Sequence, residues 1–137
     1  MTSAEATTAL RSATSLSSDY ERSRVLTALA ARGPLGAAGV SAYIESASKL
    51  TSDYERGRSL KALLDSQVVD KANVPALIHA AEGMSSDYER ANLLVQIVDR
   101  ARLDDSGREA YRRAARGISS DYERNRALAA LGGAGDN

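Results

Sequence analysis

The stretch SSDYER occupies residues 17–22, and its last five letters, SDYER, return at 52–56, 86–90 and 120–124. The aspartates of these four copies are separated by 34 residues each time. A constant spacing of about 20 to 50 residues is the signature of stacked structural repeats. The period divides the chain into four units, 4–37, 38–71, 72–105 and 106–137, and it predicts a single repeat domain over residues 1–137.

Each unit contains two segments with the periodicity of an amphipathic helix. In the second unit, Val40, Ile44 and Ala47 recur at three- and four-residue steps, which places them on one helix face. A second helix starts at the serine of each pentapeptide. The sequence therefore predicts an all-α fold, an α-solenoid of four 34-residue two-helix repeats whose eight antiparallel helices form a right-handed superhelix. The predicted helices span 3–14, 18–32, 38–48, 52–66, 73–82, 86–102, 106–116 and 120–131.

The pentapeptide has the chemistry of a helix start. Ser-x-x-Glu is a capping box, in which Ser18 accepts from the N–H of Glu21 and the Glu21 carboxylate accepts from the N–H of Ser18. Asp19 places negative charge in the first turn, where the helix dipole favours it. At the end of the preceding helix, Gly83 and Gly117 suit a left-handed cap.

The arginine of the pentapeptide falls on the apolar stripe of the second helix. Arg22 shares this stripe with Leu26 and Leu29, and leaving a buried guanidinium unpaired costs about 3 to 5 kcal/mol. We therefore expect an Asp, Arg and Tyr ladder along the stack. In it the arginines bond to the aspartate one turn earlier or to carboxylates and carbonyls of the adjoining unit, and the tyrosines fill space between units. The predicted ladder consists of Ser18, Asp19, Tyr20, Glu21, Arg22, Ser52, Asp53, Tyr54, Glu55, Arg56, Ser86, Asp87, Tyr88, Glu89, Arg90, Ser120, Asp121, Tyr122, Glu123 and Arg124.

Repeated acidic residues also suit calcium binding or paired-carboxylate catalysis. Distance argues against both, because packed helices lie about 8 to 10 Å apart whereas calcium ligands lie at about 2.4 Å. His79 is the single histidine and there is no cysteine, so a zinc ligand set is not completed. GPLGAAG at 33–39 lacks the Lys and Ser or Thr of a phosphate loop. We expect no catalytic residue, no cofactor and no metal site.

The chain carries 18 basic and 18 acidic residues. Charges that cancel disfavour unspecific binding to nucleic acid or to an anionic membrane. No run approaches the roughly 20 apolar residues of a membrane span, and the start MTSAEATTALRSA lacks the basic region and apolar core of a signal peptide. If Met1 is the native start, we expect a cytoplasmic protein.

The fourth unit differs from the others on one face. The positions of Val74 and Ile78 in the third unit are apolar in the first three units, but their fourth-unit equivalents are Arg108 and Arg112. A terminal repeat needs a polar outer face, so we expect this unit to cap a complete short solenoid. With Arg116 these arginines form a candidate docking edge, for a partner or for head-to-tail contact between copies. We favour the alternative of weak local pairing with the third-unit acids Asp99, Asp104 and Asp105.

The segments SSDYERSRVLTALA at 17–30 and SSDYERNRALAALG at 119–132 resemble the SDYE-R/K helical repeats of bacterial proteins. Such repeats include ones appended to membrane metallopeptidases of the antirepressor type. The resemblance covers essentially all four units and implies a HEAT-like or tetratricopeptide-like solenoid. It implies no catalytic residue, because the zinc-binding His-Glu-x-x-His motif of the peptidase portion has no counterpart in this sequence.

These observations favour a non-catalytic module for protein–protein interaction or scaffolding, whose partners are proteins, peptides or other copies of itself. An α-solenoid offers an extended face on which unrepeated residues, such as Lys61 and Val95, differ from unit to unit. Two alternatives stay open. One is a self-assembling structural protein whose ends stack into fibres or tubes, and the other is a small-molecule or peptide sensor domain.

Overall fold

The computed structural model describes residues 2–14 and 18–135. These residues form eight α-helices and one 3-10 turn, and they contain no strand, which confirms the all-α prediction. None of the helices in this part of the chain is both long enough and apolar enough to cross a membrane. The helices are α1 (Ser3–Thr14), α2 (Asp19–Arg32), α3 (Gly36–Ser48), α4 (Asp53–Ser66), α5 (Val74–Glu82), α6 (Asp87–Arg100), α7 (Asp105–Arg116) and α8 (Asp121–Gly135), with the 3-10 turn at Lys71–Asn73.

The helices are arranged in two layers. The first helices of the units, α1, α3, α5 and α7, pack against one another in chain order, and so do the second helices, α2, α4, α6 and α8. Each first helix also packs against the second helix of its own unit. This is the arrangement of a helical-repeat stack, in which every unit contacts only its neighbours in sequence.

The hydrophobic core lies between the two layers. One column of the repeat, Leu26, Leu60 and Leu94, is completely buried, and its fourth member, Leu128, packs partly buried against the same core. Complete burial of a leucine side chain contributes about 1.5 to 3 kcal/mol. The repeated apolar columns therefore supply the stability of the stack.

Two core tyrosines fasten the hairpins of the second and fourth units. Tyr43 donates its hydroxyl hydrogen to the carbonyl of Ser59 at 2.7 Å, and Tyr111 donates to the carbonyl of Ala127 at 2.8 Å. Both rings are fully buried. Burial raises the pKa of both phenols, against a smaller lowering by Arg126 at Tyr111. The neutral hydroxyl is thus the form that satisfies the buried carbonyl.

The connection between α2 and α3 is held by a side chain from the next unit. The amide nitrogen of Gln67 donates to the carbonyls of Ala30 and Gly33 at 2.8 and 2.9 Å. Its oxygen accepts from the N–H of Leu35 at 3.0 Å. Gly33 and Gly36 have φ of 151° and 74°, conformations that side-chain-bearing residues rarely adopt. The glycines thus let this turn reach the Gln67 amide.

Three helix ends differ from the prediction by two residues or more. Helix α3 begins at Gly36, two residues earlier than predicted, and α6 ends at Arg100, before the predicted residue 102. Helix α8 continues to Gly135 rather than ending at 131. Glycine costs a helix about 1 kcal/mol relative to alanine but does not forbid it, so the Gly132–Gly133 pair does not end α8.

Candidate functional site

The serine of the pentapeptide is the N-cap of each second helix, as predicted. Its hydroxyl accepts from the N–H three residues later, at 3.3 Å from Glu21 to Ser18 and at 3.2 Å in the other three units. The remaining pairs are Glu55 to Ser52, Glu89 to Ser86, and Glu123 to Ser120. This half of the capping box is a local interaction in every copy.

The aspartate of the pentapeptide links one unit to the next. Asp53 Oδ2 accepts from the N–H of Ser86, 33 residues further on, at 2.7 Å. The same bond joins Asp19 to Ser52 at 2.7 Å and Asp87 to Ser120 at 2.8 Å. The prediction that the glutamate accepts from the serine N–H is therefore wrong in these three units, because the aspartate of the preceding unit occupies that position.

The first of these links shows the electrostatic consequence. Partial burial raises the pKa of Asp19, but hydrogen bonds from Ser52 and from the N–H and hydroxyl of Thr51 lower it more, with help from Arg22, so that the net shift is downward. The carboxylate oxygen that bonds to Ser52 lies 2.9 Å from Thr51 N and 2.8 Å from its hydroxyl. Three donors on one ionised oxygen make this a charge-assisted contact.

The arginine of the pentapeptide bonds to carbonyls at helix ends. Arg56 donates to Leu50 O from Nε and Nη2, at 3.2 and 2.8 Å, and to Ala80 O of the next unit from Nη1 at 3.0 Å. Arg90 donates to the carbonyls of Glu82 and Met84. Cations near the C-terminal end of a helix are favoured by its dipole and satisfy its free carbonyls. The predicted carbonyl contact to the adjoining unit is present at Arg56.

In the fourth unit the arginine of the pentapeptide pairs with the aspartate of its own helix. Arg124 donates to the carbonyl of Ile118 at 3.0 Å and also pairs with Asp121, one turn earlier on the same helix. The aspartate one turn earlier is thus the arginine's partner here, as the ladder hypothesis expected.

The two glycines that end α5 and α7 make room for arginines. Gly83 and Gly117 have φ of −76°, so the predicted left-handed caps are wrong. A Cβ on Gly83 would lie 2.6 Å from Nη1 of Arg56, and one on Gly117 would lie 3.1 Å from Nη1 of Arg90. The guanidinium of the preceding unit thus lies against the backbone at each of these two helix ends.

The tyrosine of the pentapeptide is on the surface. Its exposed fraction is 56% at Tyr20, 62% at Tyr54, 59% at Tyr88 and 74% at Tyr122, so the prediction that the rings fill space between units is wrong. The helical period explains the difference. Six residues separate Tyr20 from the buried Leu26, which places the two about 120° apart around α2.

Two of these tyrosines line the groove between α4 and α6. The groove has a volume of about 420 Å³, and we call it the tyrosine groove. Its lining residues are Tyr54, Gly57, Arg58, Lys61, Tyr88, Glu89, Asn92, Leu93 and Gln96.

Contacts of Arg126 hold Tyr88, one of the residues that line the tyrosine groove. The Arg126 guanidinium lies over the Tyr88 ring at 5.7 Å, and it also donates to Glu123 and to Asn92. An arginine within about 6 Å of a ring centroid is a cation–π contact. Tyr88 is therefore held in a defined position while 59% of its surface stays exposed.

The proposed docking edge lies at the end of the stack. Arg108 is half-buried and Arg116 is exposed, while Arg112 pairs with Glu109 at 3.6 Å. Two of the nearby acids have other roles, since Asp104 caps α7 by accepting from Gly107 N at 2.8 Å and Asp99 pairs with Arg100 at 3.6 Å. Helix α7 packs against α5, α6 and α8 within the described residues, and Arg108 and Arg112 take the repeat positions that Val74 and Ile78 have on α5.

The other candidate positions are not brought together into a site. His79 is exposed on α5, and the 33–39 segment is the connection held by Gln67. No group of three or more His, Cys, Asp or Glu residues able to hold a metal ion occurs within residues 2–14 and 18–135.

Comparisons with protein-family models, with curated proteins and with solved structures found no match for this chain.

Proposed function

We propose that the protein is a non-catalytic helical-repeat module that binds an extended segment of a partner protein in the tyrosine groove. The observation that carries this proposal is the exposure of Tyr54 and Tyr88 in the middle of the stack. Serine, aspartate and arginine of the pentapeptide have contacts that build the array, whereas the exposed rings add little to it. A surface aromatic row on a rigid scaffold is the composition of a protein interface, in which Tyr and Arg are enriched.

The chemistry of the groove favours a partner segment that carries carboxylates beside an apolar side chain. Arg58 is exposed, whereas Lys61 pairs with Asp65 of the same helix at 2.8 Å. Glu89, the acid of the lining, is half-buried with its Oε2 3.4 Å from where a Cβ on Gly57 would lie. The guanidinium is therefore available to a carboxylate, and arginine binds this group with two parallel hydrogen bonds.

The resemblance to the SDYE-R/K repeats supports the same proposal, because those repeats imply a solenoid without a catalytic centre. The balanced charge of 18 basic and 18 acidic residues supports a protein partner over nucleic acid. A cytoplasmic location, on the premise that Met1 is the native start, belongs to this proposal.

Selection of displayed random peptides on the purified chain tests the groove. We expect enrichment of short sequences that combine Asp or Glu with an aromatic or aliphatic residue. Titration calorimetry of a selected synthetic peptide should show about tenfold or greater weakening for Tyr54→Ala and for Arg58→Glu, the size of an interface hot spot. The matched control is Tyr122→Ala, since this tyrosine has the same place in the repeat but lies outside the groove.

The proposal is overturned if no peptide is enriched, or if the enriched peptides bind the Tyr54 and Arg58 variants as tightly as the unmodified chain. Loss of binding in the Tyr122 variant alone would place the partner elsewhere on the surface.

A further inference from the structure

The two ends of the stack present the two surfaces that pack together wherever one unit meets the next. We call this contact between consecutive units the joint. At the start, Val25 is 37% exposed, whereas its equivalents in later units are buried under the preceding second helix. At the end, the side chain of Asp121 is 85% exposed, whereas its equivalents bind the serine N–H of the next unit. The equivalents of Val25 are Ser59, Leu93 and Ala127.

The internal joints also fix which residues face each other between first helices. Ala6 of the first unit lies 3.8 Å from the place of a Cβ on Gly39 of the second, and Val74 of the third lies 3.5 Å from that of Gly107 of the fourth. The two pairs are equivalent, because Ala6 and Val74 have the same place in the repeat, and so do Gly39 and Gly107. If the register continued past α7, Arg108 would face the position of Glu5.

We propose that a second copy of this chain docks head to tail on the first by the same joint. Asp121 of one copy then accepts from the N–H of Ser18 of the next, as Asp87 does from Ser120 at 2.8 Å. Arg108 of the first copy lies opposite Glu5 of the second, so that opposite charges meet at the place where Ala6 lies beside Gly39 and Val74 beside Gly107 inside the chain. Contacts of this kind use two different surfaces, and repetition produces a linear assembly.

Two independent features indicate that the molecule docking at each end of the stack is a second copy of this chain. The first is continuity, because three joints of one geometry already exist inside the chain and the end faces present the same positions. The second is charge complementarity, because the exposed Glu5 is at one end and Arg108 is at the other. This inference does not rest on the tyrosine groove, which lies between α4 and α6 and stays open in the assembly.

Sedimentation velocity over a wide range of protein concentration tests the proposal at low ionic strength. We expect the mass to rise with concentration and the association to weaken as salt is added, since exposed charges are screened. Arg108→Glu and Asp121→Ala should each weaken self-association about tenfold, the loss expected for a charged contact or a charge-assisted hydrogen bond. Glu5→Gln, which keeps an acceptor for the Thr2 N–H that Glu5 caps at 3.1 Å, should weaken it less.

Arg113→Glu is the matched control. It makes the same change of net charge on the same helix, but its position is exposed in the internal units and takes no part in the joints. A monomer mass that stays constant at every concentration overturns the proposal, as does equal self-association of the Arg108, Asp121 and Arg113 variants. The Tyr54→Ala variant should associate as the unmodified chain does, which separates this result from failure of the proposed groove.

Discussion

Replacing Gly83 by alanine tests whether the pentapeptide arginine determines the end of the neighbouring helix. Gly83 has φ of −76° and ψ of −6°, a conformation that alanine adopts without strain. At such a position Gly→Ala normally stabilises a protein by about 0.4 to 1 kcal/mol. Here the added Cβ would lie 2.6 Å from Nη1 of Arg56, which donates to Ala80 O at 3.0 Å. The guanidinium must therefore move, and we expect it to give up this bond.

The expected free-energy change follows from these two opposing effects. A hydrogen bond from a charged group contributes about 1.5 to 3 kcal/mol, and the backbone effect offsets about 0.4 to 1 kcal/mol of its loss. Gly83→Ala should thus lower the free energy of unfolding by roughly 1 to 2 kcal/mol. In an Arg56→Ala background the steric conflict is absent, and the same substitution should raise stability instead.

Urea unfolding monitored by circular dichroism gives the free energy of unfolding of the four proteins in this double-mutant cycle. They are the unmodified chain, Gly83→Ala, Arg56→Ala and the double variant. Gly132→Ala is the control, because a Cβ at this position meets no atom within 4 Å. This substitution should stabilise α8 by up to about 1 kcal/mol. The reasoning is refuted if Gly83→Ala stabilises the protein as Gly132→Ala does, or if the effects of the Gly83 and Arg56 substitutions add without coupling.

Three further predictions concern single residues. Tyr43→Phe should lower unfolding free energy in urea by about 1 kcal/mol through loss of the buried hydrogen bond to Ser59; an unchanged value would contradict it. Gln67→Ala should lower the free energy of unfolding by about 2 kcal/mol in the same assay, because three hydrogen bonds to the α2–α3 connection are lost. An unchanged free energy would show that Gln67 does not stabilise this connection. The pKa of Asp19 is lowered in the fold, so its stabilisation is present above about pH 4 and is lost as pH falls through the folded-state pKa. Asp19→Asn should therefore make stability less dependent on pH in the acid range, and an unaltered pH profile would contradict this.

The period of 34 residues was sufficient to predict the helices and their N-caps. Helix starts at Asp53, Asp87 and Asp121 lie one residue from the predicted ones, and the serine hydroxyl bonds are present. These features are local, since capping depends on residues within one turn. The partner of Ser86 N–H was not predictable in this way, because Asp53 is distant in sequence and only the packed stack brings the two together.

The surface position of the tyrosines is predictable from the helical period, although their repetition in every unit suggests a packing role. A residue repeated in every unit is either part of the joint or part of a repeated surface, and only the angle around the helix separates the two. Tyr20 is about 120° from Leu26 at 3.6 residues per turn, which favours the surface. The role of Gly83 was not predictable, because the sequence shows the glycine but not the arginine of the previous unit beside it.

Comparison of two adjacent substitutions, Asp53→Ala and Tyr54→Ala, tests most directly which pentapeptide residues hold the units together. By urea unfolding, Asp53→Ala should cost about 2 kcal/mol, because the Ser86 N–H loses a charged acceptor at 2.7 Å. Tyr54→Ala, at a ring that is 62% exposed, should change stability by no more than about 0.5 kcal/mol. Asp121→Ala makes the same change at a carboxylate that is 85% exposed and pairs with Arg124 of its own helix, and it should cost clearly less than Asp53→Ala. A Tyr54 loss that equals or exceeds the Asp53 loss would contradict the account.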